Sequence, residues 1–399
     1  MGSTPVGQRP SPHPAGYPTV SFATYNILLG GGGRWSEITE LLRLVDADVV
    51  ALQEADDRSA VARAADQLGY QLIYGVAPTP PQRAMARHQA VLSRLPVARW
   101  LNHREPTVLL RNSLEVWLET PTGSQINQIC LHTVHLTAAF QRRGRAEPNR
   151  VRELATVQGH AAQHPEAPHL VIGDFNSLAP GDRIQATDFF AQINLWRKTG
   201  VLQESGAMGP IPPGLSRLRW WQDPETADAV VEELPEAVRS GLPRLPWLVH
   251  PFLEVLPRGD ATDAVLGALL PRAAVRSMLR AGYIDCLRAL HPRASAFTCP
   301  TYQPAARIDY VFVSRGLDRR LVRCEVVGRG GDLAELARRA SDHFPVMAEF
   351  SLGPVQSRSL GPVRTSRAEG PGRAGAPPSG AALPQTEDLT DRDPLDPCP

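Results

Sequence analysis

The chain has 399 residues, of which 42% are hydrophobic and 21% charged, with a formal net charge of +1. Such a composition describes a globular protein that can bury a sizeable core, and excludes a chain disordered throughout. A near-zero net charge offers no broad field to polyanions, so a dedicated nucleic-acid binder working through many phosphate contacts is not indicated.

In chain order, residues 1–17 are rich in Pro, Gly and Ser and read as a disordered tail. Apolar runs predict strands at Thr19–Tyr25 and Asp48–Leu52, with a Gly-rich turn and a helix-periodic stretch, Trp35–Leu44, between them. Further strands are expected at Gln71–Tyr74, Ala90–Leu92, Val108–Leu118 and Ile126–Leu136. Arg145–Ala162 reads as a helix, His169–Ile172 as a strand stopping at Gly173, and Ile308–Val313 and Val346–Phe350 as the last strands. Between them, residues 187–281 form an insertion rich in Pro and Trp, where strand patterns vanish and four of the seven tryptophans fall. Residues 353–399 read as a second disordered tail, so the folded part is 18–352. Many strands with few helices argue for layered α/β architecture with mostly antiparallel sheets.

Cys130, Cys286, Cys299, Cys324 and Cys398 contain no CxxC pair, which suggests neither a zinc site nor a disulfide framework. Lys198 is the only lysine, so the abundance of Arg reads as compositional bias and not as a set of phosphate clamps. The N-terminus lacks the apolar stretch of a secretory signal, and no run approaches the roughly 18 apolar residues of a membrane span. The expectation is a cytoplasmic monomer without a stable membrane anchor.

Chemistry-bearing side chains gather at strand ends. In His169-Leu-Val-Ile-Gly-Asp-Phe-Asn176, Asp174 and Asn176 are two residues apart, which in extended backbone points both the same way. A carboxylate there can take a proton from water or bind a hard cation, and an amide can donate to a phosphoryl oxygen. Glu54 ends the buried run Asp48–Gln53, where a lone carboxylate is costly unless it meets a cation such as Mg²⁺. His132 and His135 are three apart and face opposite sides of a strand, so only His135 can share the site. Asp309 and the pair Asp342-His343 each precede an apolar strand, and either Asp can orient the imidazole. Taken singly, each fragment is as well explained by a turn.

The ordered series Thr24-Tyr-Asn26, Gln53-Glu54, Ala90-Val-Leu-Ser-Arg94-Leu-Pro96, His135-Leu136, Gly173-Asp-Phe-Asn176, Arg307-Ile-Asp-Tyr310 and Ser341-Asp-His343 resembles the endonuclease/exonuclease/phosphatase superfamily of deoxyribonuclease I-like fold. The resemblance implies a four-layer α-β-β-α sandwich with its site at one edge. It also implies a phosphoesterase dependent on Mg²⁺ or Mn²⁺. Glu54, Asn26 and Asp342 would hold the ion, and Asp309 would orient His343. Asp174 and Asn176 would position water, with His135 at the phosphate or leaving group. The substrate would be a phosphate ester, nucleic acid or a lipid or small-molecule diester; the rival class is a non-catalytic scaffold of the same fold. Ala305-Ala306 replaces the aromatic residue that abasic-site endonucleases carry before Arg-x-Asp-Tyr, which lowers that particular reading.

Overall fold

The computed structural model describes residues 17–78, 87–138, 146–198 and 256–354. The expected tails fall outside these apart from Tyr17, Gly353 and Pro354, as do residues 199–255 of the insertion.

The described residues build two six-stranded sheets. The first holds β1 (Thr19–Asn26), β2 (Val49–Gln53), β3 (Gln71–Gly75), β4 (Gln89–Ser93), β11 (Leu321–Val326) and β12 (Val346–Ser351), in the order β11-β12-β1-β2-β4-β3. The second holds β5 (Val97–His103), β6 (Ser113–Glu119), β7 (Gln128–His135), β8 (His169–Asp174), β9 (Ile284–Asp285) and β10 (Asp309–Val313), in the order β5-β6-β7-β8-β10-β9. Each is antiparallel except for one central parallel pair, β1 with β2 and β7 with β8.

Strand alternation divides the core. Phe22, Val49, Ala51, Leu131, Ile172 and Val311 point between the sheets, where they form the central layer of apolar packing. Their neighbours Ala23, Val50 and Leu52 point outward beneath helices α1 (Trp35–Val45), α2 (Arg58–Leu68) and α8 (Asp332–Ala340). On the other side Val134, Val171 and Phe312 pack under α3 (Ala146–Ala161) and α6 (Ala273–Arg280). Two sheets with helices outside both give the four expected layers, and full burial of each Val, Leu, Ile or Phe contributes about 1.5–3 kcal/mol.

The described ends of the insertion are helical. Helix α4 (Ala186–Lys198) is tied to α5 (Asp260–Leu269) where the Thr187 amide donates to Asp263 Oδ1 at 2.8 Å, and α7 (Cys286–Leu290) follows α6 and β9. The apolar run Val108–Leu118 is not one strand: β6 begins at Ser113, and Leu109 to Asn112 form a buried loop. Leu110 donates its amide to Glu153 Oε1 at 3.1 Å, a partner on α3 and not on a neighbouring strand. Burial without a ladder looks the same as a strand in an apolar pattern.

Gly173 shows how tightly the strand approaches. Its φ is +146°, and a Cβ there would lie 1.9 Å from the Val134 carbonyl oxygen. That atom is backbone and cannot rotate away. Gly173→Ala should therefore cost about 3 kcal/mol or more, from strain and overpacking together. A denaturant midpoint equal to that of wild type would contradict the packing described.

Candidate active site

The four central strands deliver their last residues to one edge. Asn26 closes β1, Glu54 follows β2, His135 closes β7 and Asp174 closes β8. Parallel pairing aligns these ends, with Asn26 opposite Gln53 and His135 opposite Asp174. The sheets are joined where Asn26 Nδ2 donates to Asp174 Oδ2 at 3.2 Å. Antiparallel β10 brings its first residue, Asp309, opposite Asp174, while Asp342 and His343 precede β12.

Asn176 reaches Asp174 by a different geometry from the extended one expected. The strand ends at Asp174, and Asn176 adopts a left-handed φ of 48°. An Asx-type turn results, in which the Asn176 amide donates to Asp174 Oδ1 at 2.8 Å and its Nδ2 to Oδ2 at 3.1 Å. Glu54 likewise lies one residue beyond its strand, with φ 59°. Such a conformation is unfavourable for Glu and persists only where surroundings impose it. Here the Gly30 amide holds the Glu54 carbonyl at 2.9 Å and the Leu29 amide holds Oε2 at 2.8 Å.

Asp309, and not Asp342, grips His343: Nδ1 lies 2.9 and 3.1 Å from its two oxygens, leaving Nε2 3.8 Å from Asp342 Oδ1. His135 Nε2 sits 3.6 Å from Asp174 Oδ2 and 3.8 Å from Glu54 Oε1, and its Nδ1 has no hydrogen-bond partner. His132 faces the outer layer, edge-on to His169, as the three-residue spacing requires. Of the trio Glu54, Asn26 and Asp342, no hydrogen bond links the three directly. Glu54 pairs with Arg87, and Asn26 bonds Asp174.

Burial sets the charges. It pushes the Asp174 carboxyl up to about 7, and Asp309 beside it adds to the rise against His343 and Arg111. Asp342 is raised by burial too, with Glu54 and Asp309 adding to it. Burial also holds His135 well below the usual histidine value, so its ring is neutral. For His343 burial acts against the charged ring, but Asp309, Cys299 and Asp342 outweigh it and keep the pKa well above the usual value.

Two cations escaped the sequence reading. Arg111 is 3% exposed and donates through Nη1 to the Leu136 carbonyl at 2.8 Å, directly beneath His135. A guanidinium inside an apolar run was the available signal, since a buried Arg calls for a partner. Arg87 had no such signal. Donor atoms of Asp174, Asp309 and His343 lie within 4.8 Å of one another, as do those of Cys299, Asp342 and His343. Buried carboxylates that raise one another's pKa form the kind of donor set a hard dication neutralises.

The profile of the Endonuclease/Exonuclease/phosphatase family matches residues 23–343. Among solved structures, the chain is similar to an AP endonuclease from Archaeoglobus fulgidus, at 14% identity over 83% of this chain and 99% of that one, with a TM-score of 0.50. It also aligns with the 3′ phosphatase NExo from Neisseria bound to a product DNA hairpin, at 17% identity, 83% and 99% coverage and a TM-score of 0.48. A third structure, an endonuclease/exonuclease/phosphatase from Beutenbergia cavernae, aligns at 16% identity over 84% and 72% of the two chains, with a TM-score of 0.48. No curated protein matches by sequence. Among the described residues no helix is long and apolar enough to cross a membrane. The match spans most of the chain, and the chain belongs to the endonuclease/exonuclease/phosphatase family of phosphate-ester hydrolases.

Proposed function

We propose that this hydrolase cleaves its phosphate ester with a water activated at the edge where β1, β2, β7 and β8 end. The observation that carries the reading is the buried set Glu54, Asp174, Asp309 and Asp342 around His135 and His343. In this reading Glu54, Asp342 and Asn26 hold Mg²⁺ or Mn²⁺. When bound, the ion supplies Lewis-acid stabilisation of charge on the phosphoryl oxygens.

Asp174 is the residue best placed to take the proton from water, because a base works best when its pKa lies near the operating pH. Asn176 and Asn26 fix that carboxylate by three hydrogen bonds. His343, kept cationic by Asp309, offers Nε2 to a phosphoryl oxygen. Neutral His135 donates or accepts at the phosphate or the leaving oxygen.

The test compares Mg²⁺ or Mn²⁺ with EDTA on plasmid DNA, abasic duplex, RNA, bis-p-nitrophenyl phosphate, sphingomyelin and inositol phosphates. Turnover should require the metal, and His343→Ala should lower it by about 10²–10⁴-fold on every substrate that reacts. Equal turnover in EDTA would falsify the reading; turnover of none of the panel would favour the scaffold.

A further inference from the structure

Glu54 already has a cation against it. Strand β2 pairs with β4 as far as Gln53 opposite Gln89. Beyond that ladder the two segments stay joined: the Ala55 amide donates to the His88 carbonyl at 2.8 Å, and the His88 amide to Asp56 Oδ1 at 2.7 Å. This brings Arg87 beside Glu54. Arg87 Nη1 donates to Glu54 Oε2, the same oxygen that accepts the Leu29 amide.

The backbone holds both partners to this contact. Arg87 takes a φ of 61° and Glu54 a φ of 59°, so two residues with long side chains meet in left-handed conformation just past the end of one strand pair. Glycine suits that conformation and long side chains do not; it persists where the surroundings impose it, and such positions cluster at functional sites. The pair is also withdrawn from water, with the Arg87 side chain 23% exposed and that of Glu54 10%. Its charges therefore act on each other through a lower dielectric than those of an open surface pair. The other oxygen, Glu54 Oε1, lies 3.8 Å from Nε2 of the neutral His135 ring.

We propose that Arg87 is a resident counter-ion of Glu54 which competes with the dication for this carboxylate and so sets the metal affinity of the site. The inference rests on the reading of Glu54 as a metal ligand. A guanidinium against Oε2 opposes a dication at the same carboxylate in two ways. It takes up acceptor capacity of one oxygen, and its positive charge repels the ion across a short distance in a partly buried site. In return, Glu54 has a cation against it before any ion arrives, which spares the site an unpaired buried carboxylate. Arg87 acts here through Glu54, as a positioning residue and not as a ligand.

Full-length protein is stripped with EDTA, gel-filtered and titrated with Mn²⁺ alone, the free ion being read by electron paramagnetic resonance and Tm recorded before and after loading. Arg87→Gly and Arg87→Gln should each bind Mn²⁺ about tenfold tighter than wild type, the effect of removing one charge-assisted contact. Both should also gain more Tm than wild type at the same Mn²⁺ concentration. Glycine accepts the left-handed φ of position 87, so Arg87→Gly keeps the test sound if Arg87→Gln fails to fold. Glu54→Gln should weaken binding, and adding Arg87→Gly to it should change nothing further, because the competition runs through that carboxylate. If Glu54→Gln weakens binding but Arg87→Gly binds no tighter than wild type, the role of Arg87 alone is overturned. The same holds if the gain from Arg87→Gly persists in the Glu54→Gln background. Glu54→Gln that binds Mn²⁺ as tightly as wild type would instead remove Glu54 from the ligand set, and the competition with it.

Discussion

Asp174→Asn should cut kcat by about 10²–10⁴-fold and, in EDTA, abolish a pH dependence of folding that wild type shows between about pH 4 and pH 7. Asp174 is 2% exposed and its carboxyl rises from 3.8 to about 7, burial being the main cause and Asp309 the second. Across that window the folded chain keeps a proton that the unfolded chain has released. The sign follows: stability from this group is complete below the unfolded value and is lost as pH rises through the folded one. Each pH unit inside the window changes the balance by up to about 1.4 kcal/mol. Asn does not titrate. The amide also forfeits bonds accepted from Asn26 and Asn176, but that loss displaces the variant's stability by a constant and leaves the slope intact. Denaturant titrations of both proteins at several pH values read the difference. A difference that stays flat from pH 4 to 7, or a kcat within tenfold of wild type, would remove Asp174 from the role of base.

For Asp309→Asn the expected loss is smaller but more specific: kcat/KM down by about 10–100-fold, with the alkaline limb of the pH profile moved to lower pH. His343 Nδ1 lies within hydrogen-bond distance of both Asp309 oxygens, and Asp309 is 1% exposed. Hydrogen bonds to charged groups contribute about 1.5–3 kcal/mol, which corresponds to that fold-change. Asp309 holds the His343 pKa up, so the ring keeps its charge to higher pH and loses it as pH rises. Replacing the carboxylate by an amide lowers that pKa, and the phosphate contact fails sooner on the alkaline side. Asp309→Asn with reduced activity but an unmoved alkaline limb would leave Asp309 as packing and deny it the positioning role.

Much of this candidate site was legible in the sequence because its residues lie at the ends of short buried strands, and such strands announce themselves as apolar runs. The runs that end at Gln53 and Asp174, and the run of β12 that follows His343, are of that kind. What pattern could not supply was geometry past the strand ends, where Glu54 and Asn176 turn left-handed. Several elements left no apolar run of large residues. Strand β5 lies at a sheet edge with mostly exposed side chains, so it lacks apolar alternation. Helices α2 and α8 bury mainly alanines, so they lack the large apolar residues by which a buried helix face is recognised. Arg111 was hidden by the opposite error, an apolar run read as strand when its first half is a buried loop.

The convergence of strand ends has a genetic consequence. The residues at the edge run from Asn26 to His343, on segments far apart in the chain, and His343 arrives only with the closing strand β12 beside β1. No upstream fragment holds both Asp309 and the imidazole it orients. A nonsense or frameshift mutation anywhere before codon 343 should therefore be a complete loss-of-function allele, however much of the first sheet's N-terminal half it leaves translated.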